Sequence, residues 1–224
     1  QGPQHSQTLE NFFASIPGLK VVSPSNAKDA KGLLISSIED RNPVIFFEHR
    51  WLHNTFSNVP KKYYKTKIGK CKVIKKGSDL SIVSNSFMTV EAIKASKILK
   101  KIGISSEIID LRSLRPLDIN TILKSVKKTN KLIVVENGWP QYGVGSEIIA
   151  CISQKIKNVG FGKLSLEDVP IPSSRALSKY CYPTAKNIVE ETIKLLNRKK
   201  IEINKYFKNN EPSDIPDKNF KGPF

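Results

Sequence analysis

Asp79-Leu80-Ser81-Ile82-Val83-Ser84, followed by Asn85-Ser86-Phe87-Met88-Thr89-Val90-Glu91-Ala92-Ile93-Lys94-Ala95-Ser96-Lys97-Ile98-Leu99-Lys100-Lys101-Ile102-Gly103, is the stretch that sets the fold class. Its first six residues, with Leu80, Ile82 and Val83 apolar, read as a strand. Met88, Ala92, Ala95, Leu99 and Ile102 then recur every three or four positions, which places them on one face of a helix. Gly103 is a natural stop for that helix, because only glycine enters the left-handed region without strain.

The same alternation continues downstream. Ser106 to Leu111 reads as a second strand. Asp118 is placed to cap the next helix, Leu117 and Ile122 have the spacing of a hydrophobic staple across that cap, and Ile119, Ile122, Leu123 and Val126 point inward. A strand from Lys131 to Glu136, a Gly-rich loop, a helix from Ser146 to Lys155, a strand from Lys163 to Val169 and a helix from Thr184 to Asn197 complete the pattern. Strands alternating with helices over short links call for an α/β fold with a mostly parallel sheet covered on both faces, a three-layer α/β/α domain over residues 71–198.

Upstream, residues 1–55 read as the C-terminal part of another α/β domain. Ser25 is placed to cap a helix from Asn26 to Asp40 with Ala27, Ala30, Leu34 and Ile38 as its apolar stripe, and Pro43 to Glu48 is a strand. Residues 56–70 lose periodicity and form the linker. Residues 199–224 also lose it and are expected to be an extended tail.

Composition excludes several classes. Hydrophobic residues make up 39% of the 224, enough for a core, and the longest apolar runs are far too short to span a bilayer. Cys71, Cys151 and Cys181 are widely spaced and form no Cys-x-x-Cys pair, so the pattern suggests reduced thiols in a cytosol-like compartment and neither a disulfide framework nor a zinc site. The net charge of +17 invites a nucleic-acid reading. Its distribution opposes that: the pairs Lys61-Lys62, Lys75-Lys76, Lys100-Lys101, Lys127-Lys128 and Lys199-Lys200 are scattered at the edges of apolar segments, as on a solvated face.

Few residues carry chemistry by pattern alone. His5, in Gln1-Gly2-Pro3-Gln4-His5-Ser6-Gln7, is a lone histidine in a polar stretch. His49 and His53 stand four apart, a spacing that suits zinc on a helix, but no third ligand follows at a suitable interval. The loop Gly138 to Gly145 contains Gly-x-Gly without the dinucleotide fingerprint. Ser37-Ile38-Glu39-Asp40-Arg41-Asn42 reads on its own as a capped helix end.

Three blocks in order, the His5 segment, Pro17-Gly18-Leu19-Lys20-Val21-Val22-Ser23-Pro24 and Glu136-Asn137-Gly138-Trp139-Pro140-Gln141-Tyr142-Gly143-Val144-Gly145, resemble the β subunit of thiamine-diphosphate-dependent 2-oxo acid dehydrogenases over residues 1–198. The resemblance implies a partial pyrimidine-binding domain followed by a transketolase C-terminal-like domain. It implies decarboxylation of a 2-oxo acid with acyl transfer to lipoamide, and gives His5 a catalytic place facing the cofactor. Gln4, Ser6 and Gln7 would then orient its ring. The carboxylate that activates thiamine diphosphate is expected upstream of residue 1, so the chain alone is expected to be inactive. The diphosphate and Mg2+ are expected on an α subunit in an α2β2 heterotetramer with a β–β contact at the Gly-rich loop. A lipoyl acyltransferase core is the further partner implied. The resemblance also implies a potassium ion at Ser37, Ile38, Asp40 and Asn42, and a bacterial cytoplasmic or mitochondrial-matrix location. Two other classes are weighed against it: a non-catalytic assembly module and a basic nucleic-acid-binding protein.

Overall fold

The computed structural model describes residues 2–53, 55–198 and 201–207. In chain order the elements are α1 (Gly2–His5), α2 (Glu10–Ala14), β1 (Lys20–Val22), α3 (Ala27–Ile38), β2 (Val44–Phe46), β3 (Lys72–Lys75), β4 (Leu80–Ser84), α4 (Ser86–Lys101), β5 (Ser106–Asp110), β6 (Ser113–Arg115), α5 (Ile119–Thr129), β7 (Lys131–Val135), α6 (Val144–Ser153), β8 (Gly160–Leu164), α7 (Arg175–Ser178) and α8 (Ala185–Leu195).

The larger sheet has the order β3-β5-β4-β7-β8, with β4, β5, β7 and β8 parallel and β3 antiparallel at the edge. Side chains alternate across it as strand geometry requires. Ile82, Ile108 and Ile133 face α4 and α8, whereas Val83, Ile109 and Val134 face α5 and α6. Each side chain so buried stabilises by about 1.5–3 kcal/mol. This is the three-layer α/β/α arrangement with a mostly parallel sheet. Gly103 ends α4 at φ +76, and Asp118 accepts from the Thr121 amide to cap α5, both as the residues require.

The smaller sheet has the order β2-β1-β6 and departs from the sequence reading. β6 lies beyond β5 in the chain, yet pairs antiparallel with β1, so a strand from the second half completes the sheet of the first. Strands β1, β3 and β6, of three or four residues each, are not signalled by hydrophobic periodicity. The final strand is also displaced from expectation, occupying Gly160–Leu164.

The α3 helix needs two corrections. Asn26, not Ser25, is its N-cap, accepting from the Asp29 amide, while the Ser25 hydroxyl donates instead to Asp110 at 2.5 Å. The expected stripe is also misplaced: Leu34 and Ile38 are 47% and 74% exposed, and Asp29, Gly32 and Leu33 are the buried positions. The reason is the connection over residues 56–70, which runs along α3 and is tied to it. Thr66 N–H donates to Gly32 O at 3.0 Å, Ser36 Oγ to Thr66 O at 2.8 Å, and Lys31 Nζ to Pro60 O at 2.7 Å. A polar, small-residue face meets that backbone.

Of the segment expected as an extended tail, residues 201–207 pack on the α4–α8 side, with Ile203 buried in the core and Ile201, Tyr206 and Phe207 against it. Residues 199, 200 and 208–224 lie outside the described residues.

Candidate functional site

A parallel sheet presents its chemistry where consecutive crossovers leave in opposite directions, because the crevice at the carboxyl ends of those strands is open. Here β4 sits between β5 and β7, so that point falls at the carboxyl ends of β4 and β7. The register pairs Ser84 with Val135, which brings the following segments, Asn85-Ser86 and Glu136-Asn137, side by side. A cavity of about 720 Å3 opens there. Ser86 and Asn137 form part of one wall, and the first unit closes it with His5 to Glu10, Ser23 and Phe47 to Trp51.

His5, carried at the end of α1, is exposed and lines this cavity. His49 lines it too, at the end of the segment after β2. Its ring stacks on Phe87 at 5.2 Å, with Trp51 packed edge-on against both. Burial pushes the His49 imidazole down to about 4, with His53 adding like-charge repulsion, so the ring is neutral at pH 7. Its Nδ1 accepts from the Trp51 amide at 3.2 Å, which leaves the single proton on Nε2. Nε2 lies 2.9 Å from the Asn137 amide, and the group that must meet an N–H there is the amide oxygen. His53 instead stands 3.8 Å from Glu48, and no group of three or more His, Cys, Asp or Glu side chains that could hold a metal occurs among the described residues.

Glu10 is the second ionisable group of the cavity wall. It is 8% exposed, and burial pushes its carboxyl up to about 7, with the charge of Glu136 acting in the same direction. Glu136 is itself held on both sides: Lys163 Nζ lies 3.0 Å from one oxygen, and the Gly145 amide donates to the other at 2.9 Å. This explains the glycines of the Gly-rich loop. A Cβ at Gly143 would stand 2.5 Å from Glu136 Oε1 and one at Gly145 3.0 Å away, so the loop wraps a carboxylate too closely for side chains. Asn11 on α2 accepts from the Val144 amide at 3.0 Å and joins the loop to the first unit. Tyr142, at the loop's tip, is 95% exposed, and Trp139 is anchored by its Nε1–H to Val169 O at 3.2 Å.

The end of α3 does not fit a potassium site through its side chains. Asp40 is already paired with Lys20 at 2.6 Å and accepts both from the main-chain amide and from the side chain of Asn42 at 2.9 Å. The Lys20 contact, with the Asn42 bonds, holds the Asp40 carboxyl down at about 2. Ser37 Oγ donates to Leu33 O at 2.8 Å, and Ile38 points to solvent. A cation at this point would face the Lys20 ammonium.

The matched families divide the chain on either side of this cavity. Residues 1–54 match the transketolase pyrimidine-binding domain and residues 69–188 match the transketolase C-terminal domain. The chain belongs to the transketolase C-terminal domain family. It is 42% identical over 207 residues to the mitochondrial pyruvate dehydrogenase E1 component subunit beta of Drosophila melanogaster, a match covering 88% of this chain and 56% of that protein. It is 38% identical over 196 residues to the beta subunit of acetoin:2,6-dichlorophenolindophenol oxidoreductase from Bacillus subtilis, covering 86% and 57%. The chain thus spans a little over half the length of the curated relatives it matches. Among solved structures, a split-gene transketolase, an inactive beta4 tetramer, matches with a TM-score of 0.72 over 88% of this chain and 64% of that one. At 24% identity that likeness speaks for the fold.

Within this transketolase-type frame, the cavity lies at the join of the two matched regions. The structure brings together His5, which the sequence singled out, with Glu10, His49, Ser86 and Asn137, which it did not assign. No pattern marks Glu10 or Ser86, since each acquires its character from burial. The His49–His53 spacing drew notice for zinc, whereas the structure uses His49 alone, as a neutral ring in the aromatic wall.

Proposed function

We propose that this chain acts as part of the β subunit of a thiamine-diphosphate-dependent 2-oxo acid dehydrogenase, with His5 its catalytic residue. In this reading an α subunit completes an α2β2 assembly and carries the diphosphate and Mg2+, and a lipoyl acyltransferase core receives the acyl group. The supporting observation is His5 in the wall of a cavity shared by the pyrimidine-type and C-terminal regions, in a chain about two fifths identical to the named β subunits. The lining fits a polarised heteroaromatic group: the rings of His49 and Trp51, packed on Phe87 behind them, stand beside ionisable His5 and Glu10. Thiamine diphosphate, when bound, would supply the electron sink for loss of carbon dioxide. The chain's own part is narrower. The His5 imidazole can donate a hydrogen bond to oxygen that gains negative charge, or deliver a proton to a departing sulfur. Glu10 holds a proton near neutrality. The location that goes with this reading is a mitochondrial matrix or a bacterial cytoplasm.

The test joins the intact β subunit to its α partner and assays pyruvate, branched-chain 2-oxo acids and acetoin. Turnover of one of these, lowered by about 100-fold or more in His5→Ala with cofactor affinity kept, is the expected result. No turnover of any of the three would refute the assignment. The chain of 224 residues alone is expected to be inactive.

A further inference from the structure

We propose that the cavity holds a binding site for a small organic anion, a carboxylate or a phosphate, seated between Asn137, Ser86 and the first amides of α4. The site lies in the cavity of the proposed reaction, and its test reads anion binding and not turnover, so it can fail while that reading stands, or the reverse.

Helix α4 is 16 residues long and begins at the carboxyl end of β4, inside the fold. Its N-cap residue Asn85 makes no side-chain capping bond, and Asn85, Ser86, Phe87, Met88 and Thr89 are at most 5% exposed. The leading amides of such a helix carry partial positive charge and need acceptors, and burial raises the cost of leaving them without one. By itself a helix start is not a site, but two further groups on the same cavity point to a ligand. Asn137 is 6% exposed, and one end of its amide is buried with no partner. The contact at 2.9 Å sets Asn137 Nδ2 against His49 Nε2 and leaves Oδ1 without a partner, but Nε2 carries the ring's proton, so the two ends of the amide must be exchanged: the oxygen meets His49 and the free end is the amino group, a pair of donors. Ser23, at the carboxyl end of β1, has a fully buried hydroxyl that likewise lacks a partner.

Buried polar groups without partners are scarce in folded proteins, since each forfeits its hydration. Two of them line one cavity here, beside an uncapped helix start and at the crevice where open parallel sheets receive ligands. The free group of Asn137 and the α4 amides are donors, and the Ser23 and Ser86 hydroxyls can be. That donor set selects an oxyanion over a neutral or cationic ligand. Two carboxyl groups face the same space. Glu48 is exposed beside His53, and Glu10, with its carboxyl at about 7 next to the Glu136–Lys163 pair, is largely uncharged in mildly acidic solution.

The experiment titrates the isotope-labelled full chain with inorganic phosphate and, separately, with acetate at about pH 6.5, below the Glu10 value. The backbone amide signals of Ser86 and Phe87 should shift saturably with a Kd of about 10 mM or lower for at least one anion. Tighter binding of phosphate assigns the phosphate class, and tighter binding of acetate the carboxylate class. Asn137→Asp keeps an oxygen toward His49 and replaces the free amino group by a second oxygen. It should weaken binding by about tenfold or more. Saturation absent for both anions up to about 50 mM means that water alone meets these groups and overturns the proposal. So does Asn137→Asp binding as the unmodified chain does. The signals of the unmodified chain decide the matter even where the variant does not fold.

Discussion

Glu10 shows how burial gives a common residue an uncommon property. Its carboxyl is raised to about 7 in the folded chain from an ordinary 4.5, so between these values the folded state holds a proton that the unfolded state has lost. Stability from this group therefore falls as pH rises from about 4.5 to 7 and is lowest above. Glu10→Gln removes the penalty and keeps the shape. The variant is expected to exceed the unmodified chain in stability by roughly 2–3 kcal/mol at pH 8, with the gap closing toward pH 5. Urea unfolding at several pH values measures it, and a pH-independent gap would contradict the assignment. Nothing in the letters around Glu10 announces this. His5 is legible only because its neighbours resemble a known segment, and Asn137 only because the structure shows its amide half satisfied.

Among the elements, legibility follows how much of the signal is local. Strand β7 writes a continuous apolar run, Leu132 to Val135, into the sequence, and β4 and β5, buried at every position, carry the apolar pairs Ile82-Val83 and Ile108-Ile109 among buried polar residues. Strands β1 and β6 are three residues long and exist because they pair with each other across some 90 positions, which periodicity cannot report. The N-cap of α3 shows the same limit: Ser25 and Asn26 are both good caps, and a distant residue, Asp110, decides between them by claiming the serine. The lysine pairs are plainer. Lys100-Lys101 and Lys127-Lys128 fall in the last turns of α4 and α5, where positive charge complements the helix dipole. Gly77 belongs to this scale. A Cβ there would stand 2.2–2.5 Å from the main chain of Ser106 and Glu107, at the edge where the chain enters β4 beside β5. Main chain cannot give way as a side-chain tip can. Gly77→Ala is expected to cost about 3 kcal/mol or more, read from the urea midpoint, whereas a loss under about 1 kcal/mol would show that the segment can move aside.

For the molecule as a whole, the decisive feature is that the two matched regions are not separate bodies. Residues 113–115 fall within the C-terminal match yet supply the third strand of the first sheet. Beside that strand, Arg112 holds a left-handed backbone at φ +57 and ties both regions together. Its guanidinium reaches Asp29 at 3.2 Å, Lys70 O at 2.8–3.0 Å and Cys71 O at 3.3 Å, and its carbonyl accepts from Ser23 N–H at 2.9 Å. Asp29 and Arg112 side chains are 4% and 13% exposed, so removing the cation leaves a buried carboxylate with only Asn26, Thr66 and a Lys72 ammonium 3.9 Å away. Breaking a buried pair from one side costs about 3–5 kcal/mol, more than an exposed pair by several-fold. Arg112→Met is therefore expected to lose that much. It should also separate the transitions, because the first sheet would no longer be pinned to the second region at its cavity edge. Circular dichroism and tryptophan fluorescence, coincident for the unmodified chain in urea, should part in the variant. Arg112→Lys restores charge but not the fork of contacts to Lys70 and Cys71, and should fall between the two. A single coincident transition within about 1 kcal/mol of the unmodified chain would mean that strand pairing alone joins the regions, and that the cavity between them is held by the sheet and not by this arginine.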